Sequence, residues 1–327
     1  MNSKNVISSA SGDVKNAVKL KNQEEEDHLR VEEETPHDAD DVVVDVDVDD
    51  DDHDVDNNGD NEEENGRYCR REFDHGYHLV KGQMGHGMEE YYIVADTKTV
   101  KGHNLGLYAI FDGHSGIDVA DYLHNHLFDN ILSQPDFWRN PKKAIKRAYK
   151  STDDYILHNI VGPRGGSTAV TAIVINGKTT VIANVGDSRA ILCRASDVVK
   201  QITVDHEPDN LVESKGGFVS QKPGNVPRVD GQLAMSRAFG DGGLKEHISV
   251  RPNIEIVEIH DDTKFLILAS DGLWKVMSND EVWHQIKKRG NAEEAAKTLI
   301  DKALARGSKD DISCVVVSFL SFNPSIK

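Results

Sequence analysis

The chain has 327 residues and a formal net charge of −18, and the excess charge lies at one end: residues 1–66 carry 23 acidic against 5 basic side chains, whereas 67–327 balance at 33 against 33. Three cysteines (Cys69, Cys193, Cys314) without CxxC spacing imply neither a disulfide framework nor a zinc site, which suits a reducing compartment, the cytoplasm, the nucleus or both. No window has the apolar length of a membrane span or a signal peptide, and Asn2 is not a myristoylation acceptor, so no membrane partner is expected.

Residues 1–66 are poor in aromatics, with Asp-Val alternation from Asp40 to Asp56 and the run Glu62-Glu63-Glu64. Such a segment cannot bury enough apolar surface to offset its chain entropy and is expected to be a disordered acidic tail. It reads first as a solvating tail and second as an interaction or autoinhibitory segment. Its Asp run lacks the glycine and spaced ligands of an EF-hand loop. The remainder, 67–327, reads as one globular domain, with the globular pattern setting in from Gly76.

Tyr91 to Ala95 and Leu105 to Phe111 are apolar runs separated by a polar segment with Lys101-Gly102, which predicts a β-hairpin ending at Asp112. Val119, Ala120, Leu123, Leu127 and Ile131 recur at helical spacing. A second helix starts at Asn140-Pro141, with Ile145, Ala148, Tyr149, Thr152 and Ile156 inward and Lys142, Lys143, Lys146, Arg147 and Lys150 on the opposite face, which reads first as solvated and second as a docking face for a phosphorylated or nucleic-acid partner. Strands follow at Thr168 to Ile175, Thr179 to Val185 and Ala190 to Cys193, the first two joined by the hairpin dipeptide Asn176-Gly177. Two more, Ile254 to Ile259 and Phe265 to Ala269, end at Ser270-Asp271-Gly272. Helices around Asp280 to Lys288 and Ala292 to Ala305 precede a last strand, Ile312 to Leu320. Strands grouped in hairpins and helices grouped in pairs predict an α+β fold, a helix-sheet-sheet-helix four-layer sandwich with two central antiparallel β-sheets.

Four aspartates share one context. Asp112, Asp187 and Asp271 each follow an apolar strand and Asp310 precedes one, so each carboxylate sits at a strand rim. A lone Asp-Gly is an ordinary turn, but four rim carboxylates repel one another and call for a hard cation. Oxygen ligands without a matching Cys or His set select Mg or Mn, and two such ions sharing a carboxylate suit in-line displacement at phosphorus. His114, beside that centre, could protonate a departing alkoxide; on its own it reads equally as a capping residue.

The chain also carries Met88-Glu89-Glu90, Phe111-Asp112-Gly113-His114-Ser115-Gly116, Gly166-Ser167-Thr168-Ala169, Ala183 to Arg189, Leu233 to Asp241, Ala269 to Trp274 and Ser308 to Ser313. In this order the set resembles the metal-dependent type 2C protein phosphatases, in a plant-like version, over about residues 75 to 320. The resemblance implies hydrolysis of phosphoserine and phosphothreonine in proteins by metal-bound hydroxide, with no covalent phosphoenzyme and two Mg or Mn ions. By motif position it implies Asp112 as the carboxylate bridging both metals, Gly113 as a carbonyl ligand, Glu90 as a ligand of the first metal site, Asp271 and Asp310 as ligands of the other metal, and His114 as the general acid. Glu89, Asp187 and Asp241 are candidates for a third metal or for supporting the ligands, and Lys81, Arg164 and Lys275 for contacting phosphate.

Glu90 stands where the family pattern has aspartate, Lys275 where some members have a third-metal aspartate, and the segment from Asp205 to Gly217 is short beside its relatives. The expected function is therefore a protein serine/threonine phosphatase, monomeric, acting on a phosphoprotein and not on nucleic acid. The alternatives are a catalytically weak phosphatase-fold binding protein and a two-metal phosphohydrolase of small molecules.

Overall fold

Leu105, Leu107, Ala109 and Phe111 pack on one side of the strand His103–Phe111 while Tyr108 and Ile110 pack on the other, and all six are buried. A strand apolar on both faces has to lie between two layers, and this one does. A computed structural model describes residues 71–83, 92–162 and 164–320. The acidic stretch 1–66, together with Glu89 and Glu90, lies outside the described residues.

In chain order the first elements are β1 (Phe73–Val80), β2 (Tyr92–Val100), β3 (His103–Phe111), the short β4 (Gly113–His114), and helices α1 (Asp118–Leu132) and α2 (Pro141–Asn159). Then come β5 (Gly166–Ser167), β6 (Ala169–Ile175), β7 (Thr179–Val185), β8 (Arg189–Arg194), β9 (Val199–Gln201) and α3 (Asn210–Ser214). Short strands β10 (Val219–Ser220), β11 (Arg228–Val229) and β12 (Phe239–Gly240) precede a 3-10 turn at Gly242–Leu244. The chain closes with β13 (Asn253–Glu258), β14 (Thr263–Ala269), α4 (Asp271–Trp274), α5 (Asn279–Ile286), α6 (Ala292–Ala305) and β15 (Ile312–Phe319).

Two five-stranded sheets, ordered β13-β7-β6-β3-β2 and β1-β15-β14-β8-β9, are antiparallel throughout. The β6–β7 turn puts Asn176 at φ 54° and Gly177 at φ 68°, the two positive φ angles that match the twist of a tight hairpin. Between the sheets, Tyr108, Ile110, Val170 and Ile182 meet Leu192, Leu266, Leu268, Val315 and Val317. Helices α1 and α2 cover the outer face of the first sheet through Leu123, Leu127, Ile145 and Tyr149. Helices α4 to α6 cover the second through Leu273, Trp283, Leu299 and Ile300. The four-layer α+β sandwich expected from the strand grouping is the fold observed.

Helix starts follow their caps. Asn140 accepts from the Lys143 N–H at 3.1 Å ahead of Pro141, and Asn291 accepts from the Glu294 N–H at 2.9 Å. Details differ from the sequence expectation. Among the described residues the first strand, β1, already starts at Phe73, ahead of Gly76; Gly166–Ser167 form a strand separate from β6; and Asp271 opens a one-turn helix where the sequence reads as a plain turn.

Candidate metal centre

Each of the four aspartates sits where a strand ends or begins. Asp112 follows β3 and is pinned from both sides: its N–H donates to Thr168 Oγ1 at 3.2 Å and its carbonyl accepts from the Thr168 N–H at 2.9 Å. Thr168 Oγ1 is in turn 2.9 Å from Ser188 Oγ, next to Asp187 in the β7–β8 turn. Asp271 opens α4 directly after Ser270, which is tied to β15 by an N–H bond to the Ser313 carbonyl at 3.1 Å and by accepting the Ser313 N–H at 3.0 Å. Asp310 stands just before β15. The loop holding it lies so close to α4 that a Cβ on Gly272 would come 2.1 Å from the Asp311 carbonyl oxygen, so only glycine fits there.

The four carboxylates feel one another. Burial, and then the charges of Asp271, Asp187 and Asp310, push the Asp112 carboxyl well above the usual carboxylate range, with Lys275 opposing. Burial and Asp271 push Asp187 up to about 7, and burial raises Asp271 despite the pull of Lys275. Asp187 Oδ1 is buried with no hydrogen-bond partner. The cation among them is Lys275, whose Nζ lies 2.5 Å from Asp271 Oδ2 and 2.9 Å from Asp310 Oδ2. Burial works against the charge on Lys275, but the two carboxylates hold it protonated above its usual range.

Among the described residues no three His, Cys, Asp or Glu side chains converge closely enough to hold an ion as they stand. On the same rim an ammonium sits on two of the oxygens an ion would need. The donor set nevertheless fits a hard divalent ion, being all oxygen, undercompensated in charge and left with an orphaned buried carboxylate oxygen.

His114, on β4, pairs with Gly166 on β5, and its Nε2 lies 2.7 Å from Asp241 Oδ2. A Cβ on Gly166 would stand 2.2 Å from that Asp241 oxygen and 2.6 Å from His114 Nε2, so the pair can meet only across a glycine. Asp241 itself has a left-handed backbone, φ 53°, which aspartate tolerates better than most residues. A neighbouring cavity of about 330 Å³ is lined by His114, Ser115, Arg164, Gln232, Asp241 and Leu244. Of the candidate phosphate contacts, Arg164 thus shares a cavity with His114, Lys275 is held by Asp271 and Asp310, and Lys81 is exposed next to Gly82, whose N–H donates to Asp311 Oδ1 at 2.5 Å.

Sequence reasoning missed Asp153. It lies on the buried side of α2, where it accepts from the Gly240 N–H at 2.8 Å and pairs with Lys245 Nζ at 3.0 Å, fixing the turn that carries Asp241. Burial raises its carboxyl even so. The available signal was its position between the inward-facing Thr152 and Ile156.

Two stacked antiparallel sheets flanked by helices, with carboxylates gathered at one rim beside a histidine, make a frame suited to metal-dependent hydrolysis at phosphorus. The chain belongs to the protein phosphatase 2C family, whose sequence profile matches residues 85–312. It is 87% identical over 317 residues to a probable protein phosphatase 2C 28 of Arabidopsis thaliana, covering 96% of this chain and 92% of that one. It is 56% identical over 253 residues to a probable protein phosphatase 2C 62 of Oryza sativa subsp. japonica, covering 75% and 87%. Among solved structures, a sex determining protein of C. elegans superposes with a TM-score of 0.66 at 25% identity, over 76% of this chain and 64% of that one. A serine-threonine phosphatase 2C from Toxoplasma gondii shares the fold, with a TM-score of 0.63 at 22% identity over 76% and 95% of the two chains.

Proposed function

We propose that this chain hydrolyses phosphoserine and phosphothreonine in protein substrates with two Mg or Mn ions, held by Asp112, the Gly113 carbonyl, Asp271 and Asp310, together with Glu90. The observation that carries this reading is the gathering of buried carboxylates at one rim, where Asp187 Oδ1 is left without a hydrogen-bond partner and Asp271 and Asp310 share the Lys275 ammonium. When bound there, divalent ions stabilise charge on the phosphoryl oxygens and lower the pKa of water.

The chain's own groups supply the rest. His114 gives a proton to the departing seryl or threonyl oxygen, and Asp241, 2.7 Å from Nε2, fixes which ring nitrogen carries the proton and how the ring is aimed. Arg164, lining the same cavity as His114, balances the dianionic charge of an incoming phosphate. Asp187 and Glu89 back the ligands, or hold a third ion. Lys81 is a further candidate for contacting phosphate.

No helix among the described residues is long and apolar enough to cross a membrane. We take the working enzyme to be a monomer of the cytoplasm or nucleus that does not bind nucleic acid, with 1–66 a tail separate from the catalytic domain at 67–327. The test is hydrolysis of a phosphothreonine peptide with and without added Mn or Mg. Glu90→Asp separates this from the second reading, a catalytically weak binding protein: that reading requires the substitution to raise turnover, whereas an efficient phosphatase is left unimproved.

A further inference from the structure

Lys275 caps the C-terminal end of α4 one turn beyond Asp271, the spacing at which side chains of opposite charge meet, and its backbone N–H donates to the Asp271 carbonyl at 2.8 Å. An ordinary surface pair would end there. Here the same ammonium also reaches Asp310, on the loop before β15, at 2.9 Å, so one cation bridges carboxylates from two elements. The side chain is 54% exposed while those of Asp271 and Asp310 are 19% and 25% exposed, so the charge approaches from the solvent side of the rim. A long, flexible stem lets such a group withdraw without disturbing the backbone.

We propose that Lys275 is a tethered counter-cation of the metal-free enzyme, one that a divalent ion must displace from Asp271 and Asp310 in order to bind. This rests on reading those two aspartates as metal ligands. It assigns Lys275 a task that neither the third-ion nor the phosphate-contact role covers: before an ion binds, the lysine holds the carboxylates of the rim together, and it sets the ion concentration at which the enzyme loads. Two oppositely directed consequences follow. Removing the charge leaves the metal-free rim repelling itself, which lowers stability, and it removes a competitor, which tightens metal binding.

The test is calorimetric titration of MnCl2 into the chelator-treated full chain, together with thermal melts of the metal-free proteins, for wild type, Lys275→Met, Lys275→Arg and Asp271→Asn. Lys275→Met keeps most of the stem and loses the charge; it is expected to bind Mn roughly tenfold more tightly and to melt at a lower temperature without metal. Lys275→Arg is expected to stay near wild type in both. An unchanged or weakened Mn affinity in Lys275→Met, or an equal tightening in Lys275→Arg, would overturn the proposal. Asp271→Asn is expected to bind Mn much more weakly; if it binds like wild type, the ligand reading itself falls and the inference falls with it.

Discussion

His114 and Asp241, 127 positions apart in sequence, meet at 2.7 Å across Gly166, so the imidazole beside the carboxylate rim is held by a charge carried on a turn from elsewhere in the chain. A ring aimed in this way is a proton donor, and donation matters in proportion to how poor the leaving group is. His114→Asn is therefore expected to lower kcat on a phosphothreonine peptide by roughly a hundredfold or more, and by much less on p-nitrophenyl phosphate, whose phenolate leaves unaided. Asp241→Asn should show the same leaving-group contrast to a smaller degree. Steady-state kinetics on the two substrates checks both, and equal losses on each substrate would show that the histidine is not the acid.

Behind that turn lies the ion pair of Asp153 with Lys245, whose side chains are 3% and 21% exposed. Burial pushes the carboxyl up and the ammonium down, so each charge is tolerated only because of the other. Asp153→Ala strands the ammonium and releases the Gly240 N–H, and it is expected to cost about 3–5 kcal/mol in urea unfolding. Replacing both residues by apolar side chains of similar size should recover part of that loss.

The second sheet was largely legible in the sequence and the first element was not. Ile312 to Leu320 and Phe265 to Ala269 read as buried strands because every position is apolar or small. In β1, an edge strand, only Gly76 is buried and Tyr77 is half exposed, so Asp74, His75 and His78 blur any alternation. The rim aspartates were legible because each interrupts an apolar run. The Lys275–Asp310 contact, the meeting of His114 with Asp241 and the role of Asp153 were not, since each joins residues whose proximity is created by stacking one sheet on another or a helix on a loop.

Helix α5 begins with reciprocal bonds: the Glu281 N–H donates to Ser278 Oγ at 3.3 Å and the Ser278 N–H to Glu281 Oε2 at 2.9 Å. Ser278→Ala is expected to cost about 1 kcal/mol without changing turnover per folded molecule. Glu281 also pairs with Arg306 at 2.9 Å; that bond, then the Ser278 N–H, lowers its carboxyl from 4.5 to about 2. Because the folded value is the lower one, the stabilisation is complete above pH 4.5 and is lost as pH falls toward 2. Melting curves of Glu281→Gln should converge on wild type across that window and diverge above it.

A hydrolytic centre built on Asp112 and its neighbours has to depend on a divalent ion. The measurement that bears on it most directly is the initial rate of phosphate release from a phosphothreonine peptide, with Mn or Mg titrated into chelator-treated wild type and Asp112→Asn. No turnover is expected without ion, saturable turnover with it, and a loss of at least a hundredfold in the variant. Full activity in Asp112→Asn, or wild-type turnover that survives chelation, would contradict it.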